Sequence, residues 1–177
     1  MADTTFCDVT VPDYVPKECG VDRAGIISIG LIDLDQNPTR LNLESEAFWE
    51  ARIAASPQLY YVINKTRGEY AGGQPTTEDG FGTEASRVTG ADHTATVEVE
   101  GLSENRDFWE GVNRKRWKLV MITAGELMYY VSKPVSVYAK INNQRNIKGA
   151  AFWTVELKWQ DFSNPEVFEA PDIFLEE

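Results

Sequence analysis

The chain is poor in the residues that most enzyme chemistry needs. It has one histidine, His93, and two cysteines, Cys7 and Cys19. A Ser-His-Asp or Cys-His arrangement would have to use His93, which sits in a glycine-rich stretch with no Gly-x-Ser-x-Gly elbow. A zinc site needs more ligands than two cysteines and one distant histidine supply. No Gly-Lys-Ser/Thr phosphate cradle follows a strand, so nucleotide binding is not indicated. Carboxylates are plentiful, but nothing singles out one acid pair for glycoside hydrolysis. These absences argue against an enzyme, a metal site and a cofactor. Beside Asp92, His93 reads as a surface hydrogen-bonding residue.

Long apolar runs are missing too. No stretch approaches the roughly 18 residues of a membrane span, and the acidic N-terminal sequence lacks the apolar centre of a signal peptide. Synthesis in a cytoplasm is the expectation, with Cys7 and Cys19 either free thiols or, under oxidising conditions, a disulfide. Positive charge is scarce: 17 Lys and Arg against 28 Asp and Glu leave a net charge of −11. A module that grips nucleic acid by neutralising phosphates needs a basic face. The one basic run, Arg114, Lys115, Arg116 and Lys118, reads as a solvated helix end.

What is present is a globular composition, 42% hydrophobic with five tryptophans, in a length suited to one domain. Residues 94–123 state the local plan. TATVEVEG alternates at period two, as a strand with one buried face does. Ser103 is placed to cap a helix over 105–113, on which Phe108, Trp109 and Val112 form an apolar stripe. WKLVMIT, β-branched and apolar, returns as a strand. An earlier copy of the plan runs over 24–64: AGIISIGLIDL as a strand in which Gly25 and Gly30 allow bends or close packing, a turn at Asn37-Pro38, a helix over 44–56 ended by Pro57, and LYYVINKTRGEY as a strand to Tyr70. Both helices carry Phe-Trp-Glu, at 48–50 and 108–110. Such neighbouring aromatics bury roughly 150–250 Å² each. Phe48, Trp49, Phe108 and Trp109 are therefore expected to pack helix on sheet. With connections this short, parallel and antiparallel pairing both stay open.

Residues 71–93 hold five glycines and read as a long loop or a hairpin reaching away from the body, a functional or mobile feature. Pro134 marks a bulge or a break in 127–141. In the strand over 150–162, Trp153, Val155, Leu157 and Trp159 form the core face. The domain plan is an extended arm over 1–23, one β-rich domain over 24–162 and an apolar, proline-containing arm over 163–177. That last arm either folds back on its own domain or docks onto a neighbour. The fold class is α+β: a mainly antiparallel sandwich or small barrel with two short helices packed on it.

Together, TATVEVEGLSENRDFWEGVNRKRWKLVMI, the glycine-rich 71–93 segment and the two apolar, proline-containing ends resemble bacteriophage virion proteins that build tail tubes and neck or tail rings. The sequence style is similar to that of structural proteins of phages infecting Bacteroidetes, including the crAss-like group. The resemblance implies a tail-tube-like barrel whose subunits join into a homo-oligomeric ring, beside other virion proteins and with DNA only as passing cargo. It implies that the protein is made in the host cytoplasm and resides in the virion. A negative channel would repel phosphate, which gives the acidity a purpose. On this reading Gly72, Gly73, Asp79, Phe81, Arg87, Val167, Phe168, Ile173 and Phe174 are candidates for contacts between subunits. The alternative is a monomeric β-rich binding module for a carbohydrate or a host surface.

Overall fold

A computed structural model describes residues 24–80, 86–102, 104–142 and 151–175. The N-terminal arm with both cysteines, the proposed cap Ser103 and the candidate Phe81 lie outside the described residues. In chain order the elements are β1 (Ile26–Asp33), α1 (Arg40–Leu43), α2 (Glu46–Ile53), β2 (Tyr60–Ile63), β3 (Thr66–Glu78), β4 (Arg87–Val99), α3 (Arg106–Val112), β5 (Arg116–Thr123), β6 (Leu127–Asn142), β7 (Phe152–Gln160) and β8 (Glu166–Glu169). A 3-10 turn at Asp172–Phe174 follows.

Six strands close on themselves in the order β1–β3–β4–β7–β6–β5 and back to β1, and every pairing is antiparallel. The question left open by the short helical connections is thus answered against parallel crossovers. Residues 59–70 are not one unbroken strand. Both β2 and β3 pair with β1, and the register moves by two residues where Asn64 and Lys65 intervene, with Lys65 at φ +57°. The helix expected over 44–56 is the shorter α2, which ends at Ile53, ahead of Pro57, and the unexpected α1 precedes it; the Thr39 and Ser45 hydroxyls cap α1 and α2. Pro134 lies in a bulge: β6 stays continuous while its register against β5 shifts between Trp117 and Leu119.

Two apolar clusters hold this wall from both sides. Inside the barrel, Ile29, Leu31, Val97, Leu119, Met121, Val155 and Leu157 meet Trp117, Trp153 and Trp159, and α3 adds Trp109 and Val112. Outside it, Ile32, Val120, Ile122, Met128 and Tyr130 face Leu43 and Trp49 from the helices and Phe168 and Phe174 from the C-terminal segment. That is why WKLVMIT does not alternate. Strand β5 is covered on both faces, and a doubly covered strand reads as a continuous apolar run. Within this apolar run Lys118 is buried and donates to the Gln36 carbonyl and to Asn37 Oδ1 at 2.6 Å. Lys118 therefore leaves the solvated basic run, which keeps exposed Arg114, Lys115 and Arg116.

The segment over 163–177 folds back on its own domain. Strand β8 pairs with the start of β6, Leu127 to Tyr130, with Met128 opposite Phe168. Phe174 then enters the outer cluster against Trp49, ring centroids 4.8 Å apart and edge to face. The Asn64 side-chain amide donates to the Ile173 carbonyl at 3.2 Å, tying the end of the chain to the β2–β3 bulge.

Tyr130 of β6 is buried in this outer cluster, and burial, with Glu166 and Tyr60 adding to it, pushes its hydroxyl up to about 12 from 10.0. The folded protein thus holds this proton more tightly than the unfolded chain does. Its contribution to stability is complete below pH 10 and is lost as pH rises towards 12. Tyr60 and Tyr70 shift the same way, chiefly by burial. Tyr130→Phe should therefore make the alkaline fall in unfolding free energy shallower without abolishing it. Denaturant unfolding at several pH values would show this, and a mutant whose fall parallels the wild type would overturn it.

Candidate functional site

The feature that leaves the barrel is the β3–β4 ribbon. Its ladder runs from Thr66↔Val99 out to Glu78↔Arg87, well beyond Gln160, where β7 stops pairing with β4. The 71–93 stretch is thus a hairpin of regular strands for most of its length. Its glycines explain why composition alone suggests a loop. Gly72, at φ +87°, sits in the bulge between Tyr70 and Gly73. Gly73 makes room for His93, since a Cβ there would lie 2.5 Å from His93 Cε1.

His93 is not a surface residue. It is 2% exposed and stacks on Trp159 with centroids 5.1 Å apart and rings 6° from parallel. Its Nδ1 lies 2.7 Å from the Tyr70 hydroxyl, and its Nε2 lies 3.2 Å from the Asp161 carbonyl. A carbonyl oxygen only accepts, so Nε2 is assigned the proton and Nδ1 accepts from Tyr70. The imidazole clamps the ribbon root to β7 and the chain beyond it. Backbone bonds between Ala91 and Asp161, 3.1 Å in each direction, complete the clamp. Two local signals mark this root, a histidine just before a period-two strand and a glycine pair, but nothing local shows that they pair.

Beyond the root, among the described residues, both ribbon edges lack a partner strand. Exposed polar side chains such as Gln74, Thr77 and Glu78 dominate, and Val88 is half exposed. A two-stranded ribbon with no covered face is marginally stable in water on its own.

The remaining candidates separate into two groups. Asp79 is exposed just past β3 and Arg87 opens β4, so both share the ribbon's outer end with Glu78. Val167 is 47% exposed on β8. Phe168 and Phe174 are buried within their own domain and Ile173 is half-buried beside them, so Phe168 and Phe174 are not available to a neighbour in this conformation. This separates them from the proposed contact set. The reason is that the outer face of β5 is apolar and needs a cover. In the helices, Trp49 and Trp109 are buried while Phe48 and Phe108 pack edge-on against Trp49 and Trp109 respectively.

Where the barrel is not covered by helices, its outer face is polar. Glu156 binds Lys140 at 2.6 Å and Lys158 at 3.1 Å, and the two ammonium groups hold its carboxyl below the usual range. Arg67 pairs with Glu98 at 2.6 Å. Tyr138 and Ile141 are more than half exposed near the far end of β6. Among the described residues, no three His, Cys, Asp or Glu side chains gather into a possible metal site, and no helix is long and apolar enough to cross a membrane. No family model, curated protein or solved structure matches the chain.

Proposed function

We propose that this protein is a bacteriophage virion subunit that assembles with copies of itself into a ring or tube of the tail or neck. The observation that carries the reading is the β3–β4 ribbon: a long, glycine-jointed pair of strands, clamped at its root and, among the described residues, unpaired on both edges where it projects. Exposed edges are a hazard that natural proteins blunt or use for pairing. A ribbon fixed this firmly at its base and uncovered beyond it suits the second use. A closed antiparallel barrel with short helices and a long hairpin supports this reading. The net charge of −11 suits a wall past which DNA slides without adhering. The C-terminal segment acts as a cover in this reading, and the intersubunit contacts fall to the ribbon and the exposed barrel face. A glycan-binding module would require an exposed aromatic platform; all five tryptophans are buried, and the large exposed aromatics among the described residues are Tyr138 and Phe162.

The test is to shorten the ribbon while sparing its root. Residues 76–90 are removed and Pro75 is joined to its register partner Ala91 through Asn-Gly, a favoured two-residue turn. The wild type is expected to form rings or short tubes by light scattering and negative-stain microscopy. The shortened protein should stay monomeric with its thermal transition nearly unchanged. Assembly of the shortened protein at wild-type concentrations would count against the ribbon, and a wild type that never assembles would count against the function.

A further inference from the structure

The barrel's exposed face carries a patch that contrasts with the acidity of the chain. Register places Arg116 of β5, Ser136 of β6, Lys158 of β7 and Thr94 of β4 in one transverse row. Neighbouring strands lie about 4.8 Å apart, so the row spans roughly 15 Å. All four residues are exposed, and they line an open depression of about 560 Å³ beside Pro134. Gln160 borders it, its amide donating to Asp92 Oδ1 at 2.7 Å. Lys158 shares the single carboxylate of Glu156 with Lys140. Arg116 has no ion-pair partner among the described residues. Asp92 also lines the depression, so Arg116 and Lys158 outnumber it there, with the Ser136 hydroxyl between the two cations and Thr94 beyond Lys158.

The complementary feature lies at the ribbon's outer end. Glu78 and Asp79 are exposed there and outnumber Arg87, which stands opposite Glu78 in the ladder, so this end is net acidic among the described residues. Extended chain from Gly73 to Asp79 covers roughly 20 Å. The depression lies on the barrel side of the root, at His93 and Thr94, whereas the ribbon runs the other way. A molecule's own acidic end is thus carried away from its own depression.

We propose that the row formed by Arg116, Ser136, Lys158 and Thr94 is a socket for the acidic ribbon end, Glu78 and Asp79, of a second copy. This rests on the self-assembly reading and adds the residues that make the contact. Plug and socket occupy different parts of one molecule, so the contact is head-to-tail. Such contacts build a ring when the rotation closes and an open filament or tube when it does not. The carboxylates meet the guanidinium and ammonium groups, and the hydroxyls of Ser136 and Thr94 donate to the remaining oxygen lone pairs.

Charge reversal at each side tests this. Arg116→Glu/Lys158→Glu makes both plug and socket negative, and Glu78→Lys/Asp79→Lys makes both positive. Each variant alone should need at least roughly 100-fold more protein for half-assembly, given the cost of like charges in contact. An equimolar mixture should assemble again, since each variant's plug then meets the other's socket. Arg116→Glu alone repeats the socket test without disturbing Glu156, and thermal transitions establish that the variants are folded. Variants that assemble like the wild type, or a mixture that stays dispersed, would overturn the socket while leaving the function standing. A wild type that stays monomeric overturns both.

Discussion

Phe174→Ala is expected to lower the unfolding free energy by about 3–5 kcal/mol, the usual cost of emptying a well-packed phenylalanine site. Phe174 is 2% exposed and packs edge to face on Trp49, with Gly30 leaving the space its ring occupies. A Cβ on Gly30 would lie 3.3 Å from both Phe174 Cε1 and Val120 Cβ. Removing the ring opens the outer cluster between β1, β5 and α2, and it loosens the packing of the 3-10 turn on α2. Urea unfolding followed by tryptophan fluorescence would measure the effect, because Trp49 lies at the cluster's centre. A loss under about 1 kcal/mol would mean that the segment is not docked in solution. A loss that vanished with rising protein concentration would mean that it docks on a neighbour, the other outcome open for this arm.

The second large effect concerns the seam of the barrel. Strand β1 meets β3 through one residue pair, Ile26↔Gly68. A Cβ at Gly68 would fall against the Thr96 carbonyl oxygen, and it would lie 2.5 Å from Val97 Cγ1 and 2.9 Å from Val97 Cα. Overpacking costs about 1–3 kcal/mol where side chains can yield. Here the obstacle is partly backbone, so Gly68→Val is expected to cost more than about 3 kcal/mol, enough to abolish cooperative unfolding in a marginally stable domain. Gly72→Ala is the control: Gly72 has open space around its missing Cβ and only its φ of +87° to lose. It should cost roughly 1–2 kcal/mol. Equal thermal transitions for the two mutants would refute the close approach at the seam.

Much of the β framework was legible because its cause is local. Strand β7 alternates, and Trp153, Val155, Leu157 and Trp159 are all buried. Both Phe-Trp-Glu helices bury their tryptophan, as adjacent large aromatics on a short helix require. Other readings failed for nonlocal reasons. Glycines at 72, 73 and 90 look like a loop until a partner strand and a buried imidazole give Gly73 its purpose. Lys118 looks like part of a basic surface until the 36–37 turn folds over it. His93 looks solvent-facing beside Asp92, yet its neighbours Tyr70, Trp159 and Asp161 come from other parts of the chain.

The candidate assembly surface divides the same way. The sequence showed that 71–93 was unusual and that the chain was acidic. It did not show that Arg116 and Lys158 share a row, because that depends on the registers of two strand pairs, each set by packing across the barrel.

By itself, the amino-acid sequence determined which segments alternate and which aromatic and aliphatic side chains must leave water, since these follow from the period of 2 and from transfer free energy. Tertiary structure alone decided the closure of six strands into a barrel, the antiparallel sense of every pair and the return of the C-terminal segment to its own domain. Those outcomes depend on contacts between residues far apart in the chain. Their free energy becomes available only when a double-faced strand such as β5 finds covers on both sides.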